Sequence, residues 1–123
     1  AGTGEELWAY VPGLIRNALP MLASPTYSHR FFVDGTTTVA NLNGRSVLIG
    51  GLRAGGAGFY ALDVTDARPN NERQLAAKVL WEFPNAATST TVRDQVGLSF
   101  GRPVLVKLPQ DGRWVVLLTS GYN

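Results

Sequence analysis

Pro103-Val104-Leu105-Val106-Lys107-Leu108, a Pro109-Gln110-Asp111-Gly112 turn, and Arg113-Trp114-Val115-Val116-Leu117-Leu118-Thr119 carry the pattern that most constrains the architecture. Val104-Leu105-Val106 and Val115-Val116-Leu117-Leu118 are apolar on successive residues instead of alternating. An antiparallel hairpin with one wet face alternates, so these strands are built to be covered on both sides. Blades of an antiparallel β-propeller meet that condition, because each sheet lies between two neighbouring sheets. A two-layer sandwich leaves one face of each sheet in water and fits less well.

The rest of the chain repeats the same grammar. Asp34-Gly35, Asn43-Gly44 and Asp111-Gly112 are Asx-Gly pairs suited to the positive φ of a type I′ turn. Short β-branched and aromatic runs predict further strands over Arg30 to Val33, Thr37 to Leu42, Ser46 to Gly50, Gly58 to Val64 and Lys78 to Phe83. With the C-terminal pair this makes seven candidates, an all-β pattern. One helix is predicted from Pro12 to Leu19, where Ile15, Leu19 and Leu22 share a face and Pro20 should end or kink it. Thr65 to Ala77 and Pro84 to Gln95 are polar, lack apolar periodicity and read as loops.

An internal echo extends the propeller reading. Leu7-Trp8-Ala9-Tyr10-Val11-Pro12 returns as Leu80-Trp81-Glu82-Phe83-Pro84, each copy expected to end a strand at its proline, with Arg113-Trp114-Val115 as a weaker third. A repeat fold needs the same bulky wedge in each unit. Allowing about 40 to 50 residues per blade, the chain holds about two blades with one short helix in an insertion. A closed ring needs at least four. Only 16% of residues are charged, against about a quarter in ordinary soluble domains, which fits a piece with faces normally covered. The expectation is therefore a partial propeller over residues 1–123, a fragment of a larger protein.

Composition excludes several classes. The net charge of +2 comes from basic residues scattered without adjacent pairs, so the clustered footprint of a nucleic-acid binder is missing. There is no cysteine, hence no disulfide framework or thiolate zinc site. The chain has no apolar run long enough to span a bilayer and no basic, signal-like start.

Constellations that could carry chemistry are weak. Gly50 to Gly58 lacks the Gly-Lys-Ser/Thr of a phosphate loop, and Gly56-Ala57-Gly58-Phe59-Tyr60-Ala61 runs into a strand instead of a helix; it reads as a turn where backbones crowd. Asp63-Val64-Thr65-Asp66 lacks the alternating aspartates of a calcium loop and reads as an Asx turn closing a strand. His29 with Ser28 or Ser99 and Asp34 or Asp94 has no nucleophile elbow to support it; a histidine bonded within the fold is expected. No catalytic, cofactor-binding or metal residue is assigned, and no small-molecule substrate is expected.

Taken in order, Glu6-Leu7-Trp8-Ala9-Tyr10-Val11-Pro12, Tyr27-Ser28-His29-Arg30-Phe31-Phe32-Val33-Asp34-Gly35, Val47-Leu48-Ile49-Gly50-Gly51-Leu52, Ala54-Gly55-Gly56, Tyr60-Ala61-Leu62-Asp63-Val64-Thr65, Val79-Leu80-Trp81-Glu82-Phe83, Phe100-Gly101-Arg102-Pro103-Val104 and Gly121-Tyr122-Asn123 resemble the C-terminal propeller of the PilY/PilC family of type IV pilus assembly factors and tip adhesins. Thr119-Ser120 stands where the family more often has Gly-Asn. The resemblance implies a non-catalytic module of a protein exported to the periplasm, outer membrane or pilus tip of a Gram-negative bacterium. There it would support pilus assembly, extension against retraction, twitching motility and adhesion. The implied partners are the remaining blades and minor pilins or a host surface. Calcium is implied for the family through an alternating-aspartate loop that these residues do not contain. The Leu-Trp-Glu-Phe portion also resembles quinoprotein propellers, so the alternative is a segment of a periplasmic quinone-cofactor dehydrogenase, although such enzymes often carry vicinal cysteines.

Overall fold

The computed structural model describes residues 3–122. A four-stranded antiparallel meander is formed by β1 (Thr38–Leu42), β2 (Arg45–Gly51), β3 (Phe59–Asp63) and β4 (Val79–Phe83), in the order β1-β2-β3-β4. β5 (Val104–Lys107) and β6 (Trp114–Leu117) form a separate two-stranded sheet. "About two blades" thus resolves into one blade-sized sheet and one hairpin. Six of the seven predicted strands form. The exception is Arg30 to Val33, which runs without a ladder partner and is fastened at its end by a long bond from the Asp34 N–H to the Leu52 carbonyl (3.5 Å). β-rich composition alone does not make a strand where no edge lies alongside.

Register explains how the meander is buried. Residues directly opposite in antiparallel strands share a face. Ile49 pairs with Ala61, and Ala61 with Trp81, on one face; Leu48 pairs with Leu62, and Gly50 with Tyr60, on the other. The first face is closed by Leu105 and Val116 of the hairpin, packed with Leu80 and Trp81 around Val47, Ile49 and Ala61. The second is closed by the N-terminal segment and its helix, with Trp8, Tyr10, Leu14, Ile15 and Leu19 around Leu52, Tyr60 and Leu62. Phe59, Ile49, Leu52 and Ala61 are almost wholly excluded from solvent. Covering on both sides holds for this sheet.

Several local expectations are corrected. The N-terminal helix is a 3-10 helix over Gly13–Ala23, and Pro20 lies inside it instead of ending it. Packing of Ile15, Leu14 and Leu19 on the sheet outweighs the one donor that proline removes. The two supposed loops each contain a short helix: α1 (Glu72–Ala76), capped by Asn71 accepting from the Gln74 N–H at 2.9 Å, and α2 (Thr90–Gln95), capped by Ser89 accepting from the Val92 N–H at 3.3 Å. Trp8 sits on no strand, so the echo with Trp81 is one of wedge and not of secondary structure. Of the Asx-Gly pairs, Asn43-Gly44 makes the tight β1–β2 turn with φ of 55° and 89°. Asp111-Gly112 has positive φ only at Gly112, whose N–H closes a wider loop onto Leu108. Asp34-Gly35 joins no hairpin; a Cβ on Gly35 would lie 2.1 Å from the Gly51 carbonyl oxygen, so glycine serves close approach there.

Candidate functional site

Two surfaces stand out, and both follow from how the hairpin meets the meander. Because Val104 pairs with Leu117 and Val106 with Val115, these four residues form the face of the hairpin turned away from the meander. Val104 is 52% exposed and Leu117 55%, and Val106 is also exposed. An aliphatic sheet face left open in this way is what a further packed layer would cover. On the opposite face, the Trp114 indole N–H is buried without an acceptor among the described residues.

The second surface is a cleft at the seam between the sheets. Ser99 is its keystone. The hydroxyl is buried, accepts from the Leu52 N–H (2.8 Å) and the Arg53 N–H (3.0 Å), and donates to the Gly56 carbonyl (3.1 Å). All of its capacity is spent on the glycine-rich turn. Arg53, in an isolated bridge with Ser99, has a φ of 54°, a left-handed conformation uncommon outside glycine. Thr38 donates to the Pro103 carbonyl (2.9 Å) and accepts from Arg102 Nε (3.2 Å), tying β1 to the entry of β5. Gly35, Thr36, Gly51, Arg53, Phe100 and Arg102 line a cavity of about 390 Å³ there. The C-terminal residues return beside it: Leu98 N–H donates to the Tyr122 carbonyl (2.7 Å), and Ser120 accepts from the Gly97 N–H (2.9 Å).

The residues weighed for chemistry take structural places. Ser99 is committed as described. Asp34 Oδ1 accepts from the Ala54 N–H (3.1 Å), and its Oδ2 lies 3.5 Å from Arg53. His29 is exposed, edge-on to Phe31 at 5.2 Å. No hydrogen bond joins it to Ser28, Ser99, Asp34 or Asp94 among the described residues, so the expected bonded histidine is replaced by a surface one held by its aromatic neighbour. The Asx turn at Asp63 is present: its carboxylate accepts from the Thr65 N–H (2.9 Å) and from Arg45 Nε (2.6 Å). Thr65, through its hydroxyl first and then its N–H, and Arg45 together hold the Asp63 carboxyl at about 2, against a smaller opposing effect of burial. The glycine-rich turn is crowded as expected; a Cβ on Gly55 would lie 1.9 Å from the Phe32 carbonyl oxygen. No group of three or more His, Asp or Glu residues able to hold a metal occurs among the described residues, and no helix is long and apolar enough to cross a membrane.

One further polar cluster escaped the sequence reading. Glu82 on β4 accepts from the Tyr10 hydroxyl and from the Gly13 N–H (2.7 Å). Burial first, then the Glu82 carboxylate, push the Tyr10 phenol far above its ordinary range. This clamp fixes the start of the 3-10 helix to the sheet. Nothing in the spacing of Tyr10 and Glu82 along the chain signals it.

The family model for the PilY1 β-propeller domain matches residues 14–123. A type IV pilus biogenesis factor PilY1 homolog of Xylella fastidiosa is 40% identical over 98% of this chain and 8% of its own length. The type IV pilus biogenesis factor PilY1 of Pseudomonas aeruginosa PAO1 is 37% identical over 98% of this chain and 10% of its own. The chain thus spans about a tenth of the curated relatives it matches. The crystal structure of the Pseudomonas aeruginosa PilY1 C-terminal domain superposes with a TM-score of 0.60 at 32% identity, covering 94% of this chain and 21% of that one. An open antiparallel meander with a second hairpin stacked on it is the corresponding part of a propeller, and the chain belongs to the PilY1 β-propeller family.

Proposed function

We propose that this chain forms part of a non-catalytic β-propeller in an exported type IV pilus biogenesis protein, acting at the cell envelope or pilus tip of a Gram-negative bacterium. The observation that carries this reading is identity of 37–40% over nearly the whole chain to proteins named as type IV pilus biogenesis factors. The uncovered hairpin face supports it: Val104, Val106, Val115 and Leu117 await the next sheet of the same propeller. The role is mechanical. A ring of stacked sheets offers a rigid platform from which minor pilins or a surface receptor are engaged during assembly, extension, twitching and adhesion. Calcium, in this reading, binds the full-length protein on a loop outside these residues. Nothing among the matched proteins favours the quinone-dependent dehydrogenase.

The test is genetic. Deleting the gene removes surface pili or twitching. The wild-type gene restores them, and a copy carrying both Val106→Asp and Leu117→Asp does not, because two carboxylates cannot be buried unpaired between sheets. Normal piliation after deletion, or full rescue by the charged double variant, overturns the reading. So does alcohol oxidation by the purified protein after reconstitution with quinone and calcium.

A further inference from the structure

We infer that the cleft between the end of β2 with its following Leu52–Gly56 turn and the Ser99–Arg102 segment is an oxyanion-binding site, in which Arg53 and Arg102 receive a carboxylate or phosphate group. Gly50 and Gly51 end β2 and Gly55 and Gly56 close the turn that follows, yet the residue of this turn at positive φ is Arg53. Left-handed backbone is strained for a residue with a Cβ. That conformation is held from behind by the buried Ser99 hydroxyl, which accepts from the N–H groups of both Leu52 and Arg53. The chain thus accepts strain to present a guanidinium at a point where glycine would have been easier.

The second cation arrives from the other sheet. Arg102 donates through Nε to the Thr38 hydroxyl, whose own proton goes to the Pro103 carbonyl. The guanidinium is therefore anchored by one nitrogen, while its two terminal nitrogens meet no acceptor among the described residues. Arg53 lies over the Phe100 ring at 5.8 Å, which orients its plane and leaves its edge donors available. Asp34 pairs with Arg53 through one oxygen in a long hydrogen bond of 3.5 Å from a single terminal nitrogen, and commits the other to the Ala54 N–H. Two arginines against this one carboxylate leave the cleft with one net positive charge. Its volume of about 390 Å³ suits a small ligand or one side chain of a larger one. Forked guanidinium donors match planar carboxylates and phosphate oxygens alike, so the source of the oxyanion is a matter for measurement.

The experiment is calorimetric titration of the full-length protein at low ionic strength. Inorganic phosphate is one titrant and the peptide Ac-Gly-Asp-Gly-NH2 the other. Saturable binding of at least one is expected, weakened roughly tenfold or more in both Arg53→Gly and Arg102→Gln, and unchanged in Arg68→Gln, which alters an exposed arginine paired with Glu5. Arg53→Gly suits the backbone better than arginine, so its thermal midpoint should not fall, which separates lost binding from lost folding. The tighter titrant identifies the source. Absence of binding by both, or affinities indifferent to either arginine variant, overturns the assignment.

Discussion

The four-stranded meander and the β5–β6 hairpin are written in similar residues but meet different surroundings. On the meander, β2 and β3 are buried along most of their length, because the N-terminal helix covers one face and the hairpin the other. On the hairpin, Leu105 and Val116 are packed, while Val104, Val106 and Leu117 face outward. Successive apolar residues therefore encode a demand for two neighbours, and only the meander has both among the described residues. The lesson is that apolar periodicity reports what a strand needs and not what one stretch of chain provides.

The largest effect should come from the doubly covered sheet. Phe59→Ala removes a ring that is 1% exposed and should cost about 3–5 kcal/mol in denaturant unfolding of the full protein. Leu117→Ala on the hairpin is the matching probe. If a further sheet covers it, as proposed, the cost should be about 2–3 kcal/mol; a value within about 0.5 kcal/mol, typical of surface positions, would break the comparison by making the hairpin a true outer surface. The seam between the two regions comes next. Ser99→Ala strands the Arg53 N–H, while the Leu52 N–H keeps the Gly58 carbonyl and the Gly56 carbonyl keeps the Ser99 N–H, and should cost about 1–3 kcal/mol. Hydrogen exchange should then speed up at Arg53 while the β2–β3 ladder stays protected; equal loosening of the ladder would show the sheets to be one cooperative unit.

The smallest effect lies at the end of β3. Asp63 has its folded-state pKa lowered to about 2 from 3.8, so its stabilising contribution is complete above about pH 5 and is lost as pH falls toward 2. The Thr65 hydroxyl contributes most and Arg45, which is half exposed, least, and solvent screening keeps the total below about 1 kcal/mol. Asp63→Asn should flatten that acid limb, and added salt should shrink it in the wild type. A limb unchanged in the variant would assign the acid sensitivity elsewhere.

Much of this was legible in the chain. The Asn43-Gly44 turn, the Asx turn at Asp63, six strands and the propeller family all follow from local chemistry and ordered motifs. The caps of α1 and α2 were also written there, as Asn71 with Gln74 and as Ser89, but a helix of one or two turns has too little apolar periodicity to announce itself. Arg30 to Val33 misled in the opposite direction, having strand-like residues and no edge to join.

Local sequence determined which segments extend, where the tight turns fall, and that strands such as β3 and β6 require apolar cover on both faces; each depends on residues near one another in the chain. Tertiary structure alone decided that Trp8 and Trp81 wedge opposite faces of one sheet, that Glu82 clamps Tyr10, and that Ser99 holds Arg53 in a left-handed turn facing Arg102. Those pairings join residues far apart along the backbone, and only the register and stacking of the sheets bring them within reach.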